Sequence, residues 1–315
     1  MIRAVAGRIA RFLVTLFITS VLIFAFMRIL PGDPAEVVLG TGATEEALAQ
    51  TRAEFGLDRP LIVQYWEWIS GIPFGDFGVS FITGQDISPV VLDRLSVSLI
   101  LVSCAMVLAL FIAIPLGSWA AVRHNRPDGI AISASTQFGI AIPNFLAGML
   151  LVAVFALALG WLPANSWMPP TYDPLEFLRH LILPVVALAA VQAAIMTRYV
   201  RTAVLEILGD DWMRTARAKG LSRFQALVRH GLRNAALPAL TVSGIQLTTL
   251  VTGAVVIEQV FVIPGIGSEL LDAVANRDHL TVQSIVMLLA LITLTINFVV
   301  DLLYVVLDPR TAATR

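Results

Sequence analysis

Gly129–Tyr172 reads GIAISASTQFGIAIPNFLAGMLLVAVFALALGWLPANSWMPPTY, a stretch without a single Lys, Arg, Asp or Glu. Such a run has no charged face to turn toward water, yet it exceeds the roughly 20 apolar residues that carry a helix across a bilayer core. Working outward from it, other stretches have the same character. Spans are expected at about 9–29, 99–122, 130–159, 181–199, 236–257 and 282–307. Each is read as helical because lipid offers no partner to free backbone N–H and C=O groups. Composition agrees: the chain is 57% hydrophobic and 14% charged, with a mean hydropathy of +0.83, whereas a soluble domain carries about a quarter charged residues. The predicted fold class is all-α integral membrane, with six transmembrane helices. Pro115 and Pro143 fall inside spans two and three, where kinks are expected. Pro184 marks either a bend or the first turn of span four.

Arg3, Arg8 and Arg11 precede the first apolar run, as in a signal peptide. That run continues from Phe12 to Met27 and ends in Leu30-Pro31-Gly32-Asp33-Pro34 rather than a small-residue cleavage site, so it is read as a retained span. With the N-terminus inside, 15 of the 21 Lys and Arg residues fall in inner segments, an asymmetry that places both termini in the cytoplasm. The expected organisation is a first span over 1–29, an external subdomain over 30–95, a five-helix core over 96–307 and a cytoplasmic tail over 308–315. Within the core lie a cytoplasmic loop at 200–235 and an external loop at 258–281. Leu61, Ile62 and Val63 beside Tyr65, Trp66 and Trp68 suit a helix lying in the membrane interface, or a connector hugging the membrane without a specific partner. Cys104 is the sole cysteine, which excludes an intrachain disulfide and a Cys-based metal site.

The loop at 200–235 contains Asp210-Asp211-Trp212-Met213-Arg214-Thr215-Ala216-Arg217-Ala218-Lys219-Gly220-Leu221-Ser222-Arg223. Acids lead and bases follow from Asp211 to Lys219, as the helix dipole favours. Gly220 is placed to end that helix in a left-handed conformation. Ser222 then caps a second helix running from Arg223 to Arg233. Charge alone allows a loop that merely enforces topology; the ordered Thr-Ala-Arg-Ala-Lys-Gly-Leu points instead to a knob presented to a partner.

This segment resembles the coupling loop of binding-protein-dependent ABC importer permeases, and the whole chain resembles their dipeptide/oligopeptide/nickel branch, in its first (B-type) permease subunit. Further blocks carry the resemblance: Leu30-Pro31-Gly32-Asp33-Pro34; Phe55-Gly56-Leu57-Asp58-Arg59-Pro60 with Gln64-Tyr65-Trp66; and Gly75-Asp76-Phe77-Gly78. Arg229-His230, Ile257-Glu258, Pro264-Gly265-Ile266-Gly267, Asn276-Arg277-Asp278, Asp301-Leu302-Leu303-Tyr304 and Asp308-Pro309-Arg310 complete it. The wider importer pattern begins Glu-Ala-Ala. Arg214-Thr215-Ala216 stands there in this chain, with Gly220 in place and His230 and Leu232 at the later Ile and Leu positions.

The resemblance implies a type I ABC importer permease fold, importing di- or oligopeptides. Nickel chelates and glutathione are alternative cargoes. It implies a second related permease subunit, two cytoplasmic ATP-binding subunits and an external solute-binding protein, within membrane lipid and with no nucleic acid. ATPase coupling falls to Arg214, Thr215, Ala216, Arg217, Ala218, Lys219, Gly220 and Leu221. Translocation-path candidates are Gln137, Asn144, Gln246, Thr249 and Thr252, each also explicable by helix–helix packing. Candidate contacts of the binding protein are Tyr65, Trp66, Asp76, Pro264 and Gly265. The chain lacks a Gly-x-x-x-x-Gly-Lys-Ser/Thr phosphate loop. No cofactor is therefore expected on it, and ATP and Mg are assigned to the partner ATPases. His124, His180, His230 and His279 have no metal-ligand spacing, so no metal site is expected. A membrane enzyme would need a motif such as His-Glu-x-x-His, which is absent. An ion-gradient-driven secondary transporter would favour paired intramembrane acids, whereas Asp301 is the one acid inside a predicted span.

Overall fold

The structure is a computed structural model that describes residues 2–30, 32–40, 42–209, 211–227 and 232–307. Arg229-His230 and Asp308-Pro309-Arg310 lie outside the described residues, as does Pro31. The helices are α1 (Ile2–Ile29), α2 (Pro34–Leu39), α3 (Glu45–Glu54), α4 (Leu61–Gly71), α5 (Ser88–Val122), α6 (Pro127–Ala141) and α7 (Asn144–Leu151). They continue as α8 (Pro174–Leu208), α9 (Asp211–Ala218), α10 (Arg223–Ala226), α11 (Leu232–Phe261), α12 (Ile266–Ala275) and α13 (His279–Leu307). Among the described residues five helices are long and apolar enough to cross a membrane, or six if the bent pair α6 and α7 with its extension counts as one span.

That pair is where the structure departs most from the expected kink. The chain turns by 97° at the break, with Ile142 and Pro143 both extended (ψ of 119° and 142°). Proline removes a backbone donor and pushes the residue before it out of helical geometry, which accounts for the stop at Ala141. Beyond α7 the chain continues as a π-helix over Val152–Ala158. Pro115 and Pro184, by contrast, sit inside continuous 35-residue helices. Span four is thus far longer than its apolar stretch suggests: α8 runs about 52 Å at 1.5 Å per residue, and Pro184 lies well beyond its first turn.

The chain divides into two compact units, Met1–Ser98 with Pro264–Phe298, and Leu99–Ile263 with Val299–Arg315. The boundary expected near residue 95 falls inside α5, and the 258–281 segment joins the first unit from Pro264 onward.

In the first unit, the conspicuous sequence blocks prove to be caps and turns. Asp33 caps α2, its Oδ1 accepting from the Ala35 N–H at 2.9 Å with Pro34 at the first helical position, an arrangement that uses the missing proline donor to advantage. Its Oδ2 takes Arg52 Nε at 2.5 Å, and that carboxylate raises the Arg52 pKa, chiefly through the hydrogen bond. Phe24, Tyr65, Trp68, Phe77, Ile266 and Ile285 share one core. Polar groups inside it are paired: Ser20 Oγ lies 2.7 Å from the Tyr65 hydroxyl, Trp68 Nε1 donates to Ser284 Oγ at 3.2 Å, and Ser284 donates to the Phe77 carbonyl at 2.9 Å.

In the second unit α8 is central, packing against α11, α6 and α7. Small residues allow the approach. A Cβ on Gly117 would stand 2.8 Å from the Thr197 carbonyl oxygen, and one on Gly139 would stand 2.8 Å from Ala194 Cβ, the close backbone contact that small residues permit between membrane helices. Gln192 of α8 donates to Gln246 Oε1 of α11 at 2.6 Å, both side chains buried.

Candidate functional site: the helical knob at Asp211–Leu227

The knob begins with α9, whose register follows from its sequence. Met213 and Ala216 are buried and Trp212 is half-buried, a stripe at three- and four-residue spacing that matches an amphipathic helix. Met213 and Ala216 cluster with Ala226 of α10. Beneath them Ala121 of α5, Val200, Val204 and Ile207 of α8, and Leu227 form a second cluster onto which Trp212 also packs. The knob is thereby seated on the ends of two long helices by apolar contact.

Its C-terminal stop is a Schellman motif. Gly220 has φ +88°. The Leu221 N–H reaches the Ala216 carbonyl at 3.3 Å, and the Gly220 N–H reaches the Arg217 carbonyl at 2.9 Å. Leu221 packs against the cluster containing Ala216, supplying the hydrophobic contact that accompanies this motif. Ser222 and Gln225 then form a capping box: Gln225 N–H donates to Ser222 Oγ at 3.2 Å, and Ser222 N–H donates to Gln225 Oε1 at 3.0 Å. Of the second helix expected over Arg223–Arg233, Arg223–Ala226 is α-helical; residues 228–231 lie outside the described ones, and α11 is described from Leu232.

This scaffold turns Arg214, Thr215, Arg217, Ala218, Lys219 and Gly220 outward, while Ala216 is buried and Leu221 half-buried. Of the eight residues assigned to coupling, six are therefore available to a partner and two hold the helix in place. The outward face is cationic, and the Arg214–Asp211 ion pair on it, at 3.7 Å, is almost fully exposed, a kind of pair that contributes little. Such a face can dock on an acidic or dipolar groove.

The other candidate residues are dispersed. Gln137, Thr249 and Thr252 are exposed, whereas Asn144 is half-buried at the start of α7. Gln246 is buried and its Oε1 accepts from Gln192 of α8. Of the aromatic neighbours on α4, Tyr65 is buried against Ser20 and Phe24, and Trp66 faces outward. Asp76 is exposed and accepts from the Gly78 N–H at 2.9 Å. Pro264 is half-buried, and Gly265 is buried with its N–H donating to Ser268 Oγ at 3.0 Å. Sequence reasoning missed two buried polar sites. One is Gln192, hidden within an apolar helix. The other is Asp278, whose Oδ2 accepts from Ser80 Oγ at 2.5 Å and Thr281 Oγ1 at 2.6 Å. The Asn276-Arg277-Asp278 block was visible in the sequence, but its partner, far away in the chain, was not. Among the described residues no three His, Cys, Asp or Glu side chains gather as a metal-binding set.

The family described as binding-protein-dependent transport system inner membrane component matches residues 113–313, and the corresponding N-terminal family matches residues 1–102. The glutathione transport system permease protein GsiC of Escherichia coli (strain K12) is 40% identical over 313 residues, covering 98% of both chains. Its counterpart of the same name from Salmonella typhi is 39% identical over the same coverage. Among solved structures, the MetNI methionine ABC transporter in inward-facing conformations matches with a TM-score of 0.57 at 18% identity, over 70% of this chain and 96% of that one. At that identity the likeness concerns the fold.

Proposed function

We propose, because the chain belongs to the family of binding-protein-dependent transport system inner membrane components and is a permease subunit of an ABC importer, that it forms half of a membrane path for small peptides and is driven through α9. The permease is not itself catalytic. In this reading a second, related permease subunit supplies the other half of the path, and two ATPase subunits bind the ATP and Mg. A solute-binding protein delivers cargo from the opposite face. The arginine asymmetry supports cytoplasmic termini and places the knob on the ATPase side.

The observation that carries the reading is the knob itself: an outward basic face on a helix whose apolar stripe is seated on α5 and α8. Closure of the ATPases on ATP would displace this seated element and, through the two long helices, bias the path between its outward and inward states. Small peptides, glutathione among them, are favoured as cargo by the 40% identity to permeases named for glutathione transport. The test is uptake of labelled dipeptide, tripeptide and glutathione by the reconstituted importer, with Gly220→Pro in the knob. ATP-dependent uptake of at least one of these by the parent chain, lost in the variant along with ATPase co-purification, is the expected result. Unimpaired uptake by the variant would sink the coupling assignment, and uptake of none of the three would sink the cargo assignment.

A further inference from the structure

Tyr65 of α4 is seated against the middle of α1. Its hydroxyl lies 2.7 Å from Ser20 Oγ, and its ring centre stands 6.5 and 5.5 Å from those of Phe17 and Phe24. The apolar span of α1 covers 25 residues, Val5–Ile29, about 38 Å of helix against a hydrocarbon core of roughly 30 Å. Ser20 stands about 14 Å short of the Ile29 end at 1.5 Å per residue. Were the whole surplus of about 8 Å to protrude at that end, Ser20 would still lie about 6 Å inside the core. The Tyr65 hydroxyl therefore sits at hydrocarbon depth, although α4 belongs to no span.

What α4 exposes there is apolar. Leu61, Ile62 and Trp66 are each more than half exposed, and the Trp66 ring centre is 5.5 Å from that of Tyr65, close to its level. Exposed Phe17, with Val14 and Val21 on the same face of α1, continues this surface. The polar side chains of α4 are engaged elsewhere. Gln64 Nε2 donates to the Leu57 and Arg59 carbonyls at 3.1 and 2.7 Å, and Glu67 is paired with Arg59 at 2.6 Å. Both line a cavity that Leu61, Ile62 and Trp66 do not line. Helices that pack together in a membrane use small residues for close approach, as Gly117 and Gly139 do in this chain. The surface of Leu61, Ile62, Trp66, Val14, Phe17 and Val21 is bulky throughout, and acyl chains demand no small residue. We propose that α4 is sunk into the bilayer beside α1, with its Leu61–Ile62–Trp66 face against lipid acyl chains. Trp66 thereby leaves the surface offered to the external solute-binding protein.

Nitroxide labels in the whole importer complex, reconstituted in lipid vesicles, read this depth. Ile62→Cys and Trp66→Cys are each labelled in a chain carrying Cys104→Ala, with Val14→Cys as the lipid reference and Thr83→Cys as the aqueous one; both reference positions are exposed. Collision with molecular oxygen, which concentrates in hydrocarbon, is compared with collision with chromium oxalate, which stays in water. The expected oxygen-to-chromium ratio at positions 62 and 66 groups with Val14→Cys and lies well above that of Thr83→Cys. If Trp66→Cys fails to assemble, Ile62→Cys carries the test alone. A ratio grouped with Thr83→Cys would place α4 in water and overturn the proposal. Weak collision with both reagents would mean that another permease subunit covers the face, which overturns it as well. So would oxygen collisions that fall when the solute-binding protein is added, by returning Trp66 to that protein's docking surface.

Discussion

Asp278 shows how much one side chain can tie together. Its carboxylate collects hydroxyls from Ser80, across nearly two hundred residues of sequence, and from Thr281 in the first turn of α13. Replacing it with Ala would strand both buried donors. Hydrogen bonds to charged groups contribute about 1.5–3 kcal/mol each, so Asp278→Ala is expected to destabilise the first unit by about 2 kcal/mol or more. A fall in the thermal midpoint of the detergent-solubilised chain, with Asp278→Asn intermediate, would check this. Gly220 makes a different residue-scale demand. No atom stands within 4 Å of an added Cβ, but the backbone has φ +88°, where an L side chain costs about 1–2 kcal/mol. Gly220→Ala should therefore fray α9 from its C-terminus without a clash, seen as faster amide exchange over 216–221, with exchange in α8 unaltered.

At the scale of elements, the decisive feature is the break at Ile142-Pro143. The same residue type is accommodated within α5 and α8, so proline alone does not dictate a 97° turn; neighbours in the fold decide whether the freed carbonyls can be satisfied. Pro143→Ala restores a donor and relaxes the restraint on Ile142, and it is expected to populate a straighter arrangement. Spin labels at Ile130 and Leu157, both exposed, would then report a longer distance than in the parent; an unchanged distance would show that packing against α8 and α11 fixes the bend. The knob follows the opposite logic. Its two helices are short, and a helix of eight residues is marginal in isolation. Their stability is drawn from Met213, Ala216 and Trp212 seated on neighbouring helices, so the basic face is held in position rather than left to fluctuate.

For the whole molecule, the arrangement of charge relative to spans makes a definite statement about topology. In the proposed orientation, with both termini cytoplasmic, a cysteine at Ser222 is expected to react with a membrane-impermeant maleimide only from the inside, and one at Thr83 only from the outside, in a chain whose Cys104 has been replaced by Ala. Labelling of both positions from the same side would contradict the assigned orientation.

Much of this was legible in the chain itself. Apolar runs reveal spans because lipid leaves the backbone no alternative to helix, and the stop at Gly220 with the cap at Ser222 is local chemistry that needs no distant partner. The family, too, could be recognised from motif blocks because caps and tight turns restrict residue types: Asp33-Pro34 and Gly220 are examples. Tertiary structure alone decided what depends on contacts between remote segments. It separated Tyr65, buried on Ser20, from Trp66, exposed one residue later. It paired Gln246 with Gln192, brought Ser80 to Asp278, and turned an expected kink at Pro143 into a corner. Sequence periodicity gives the face of a helix but not which neighbour covers it, and burial of a polar group is settled only when its partner arrives.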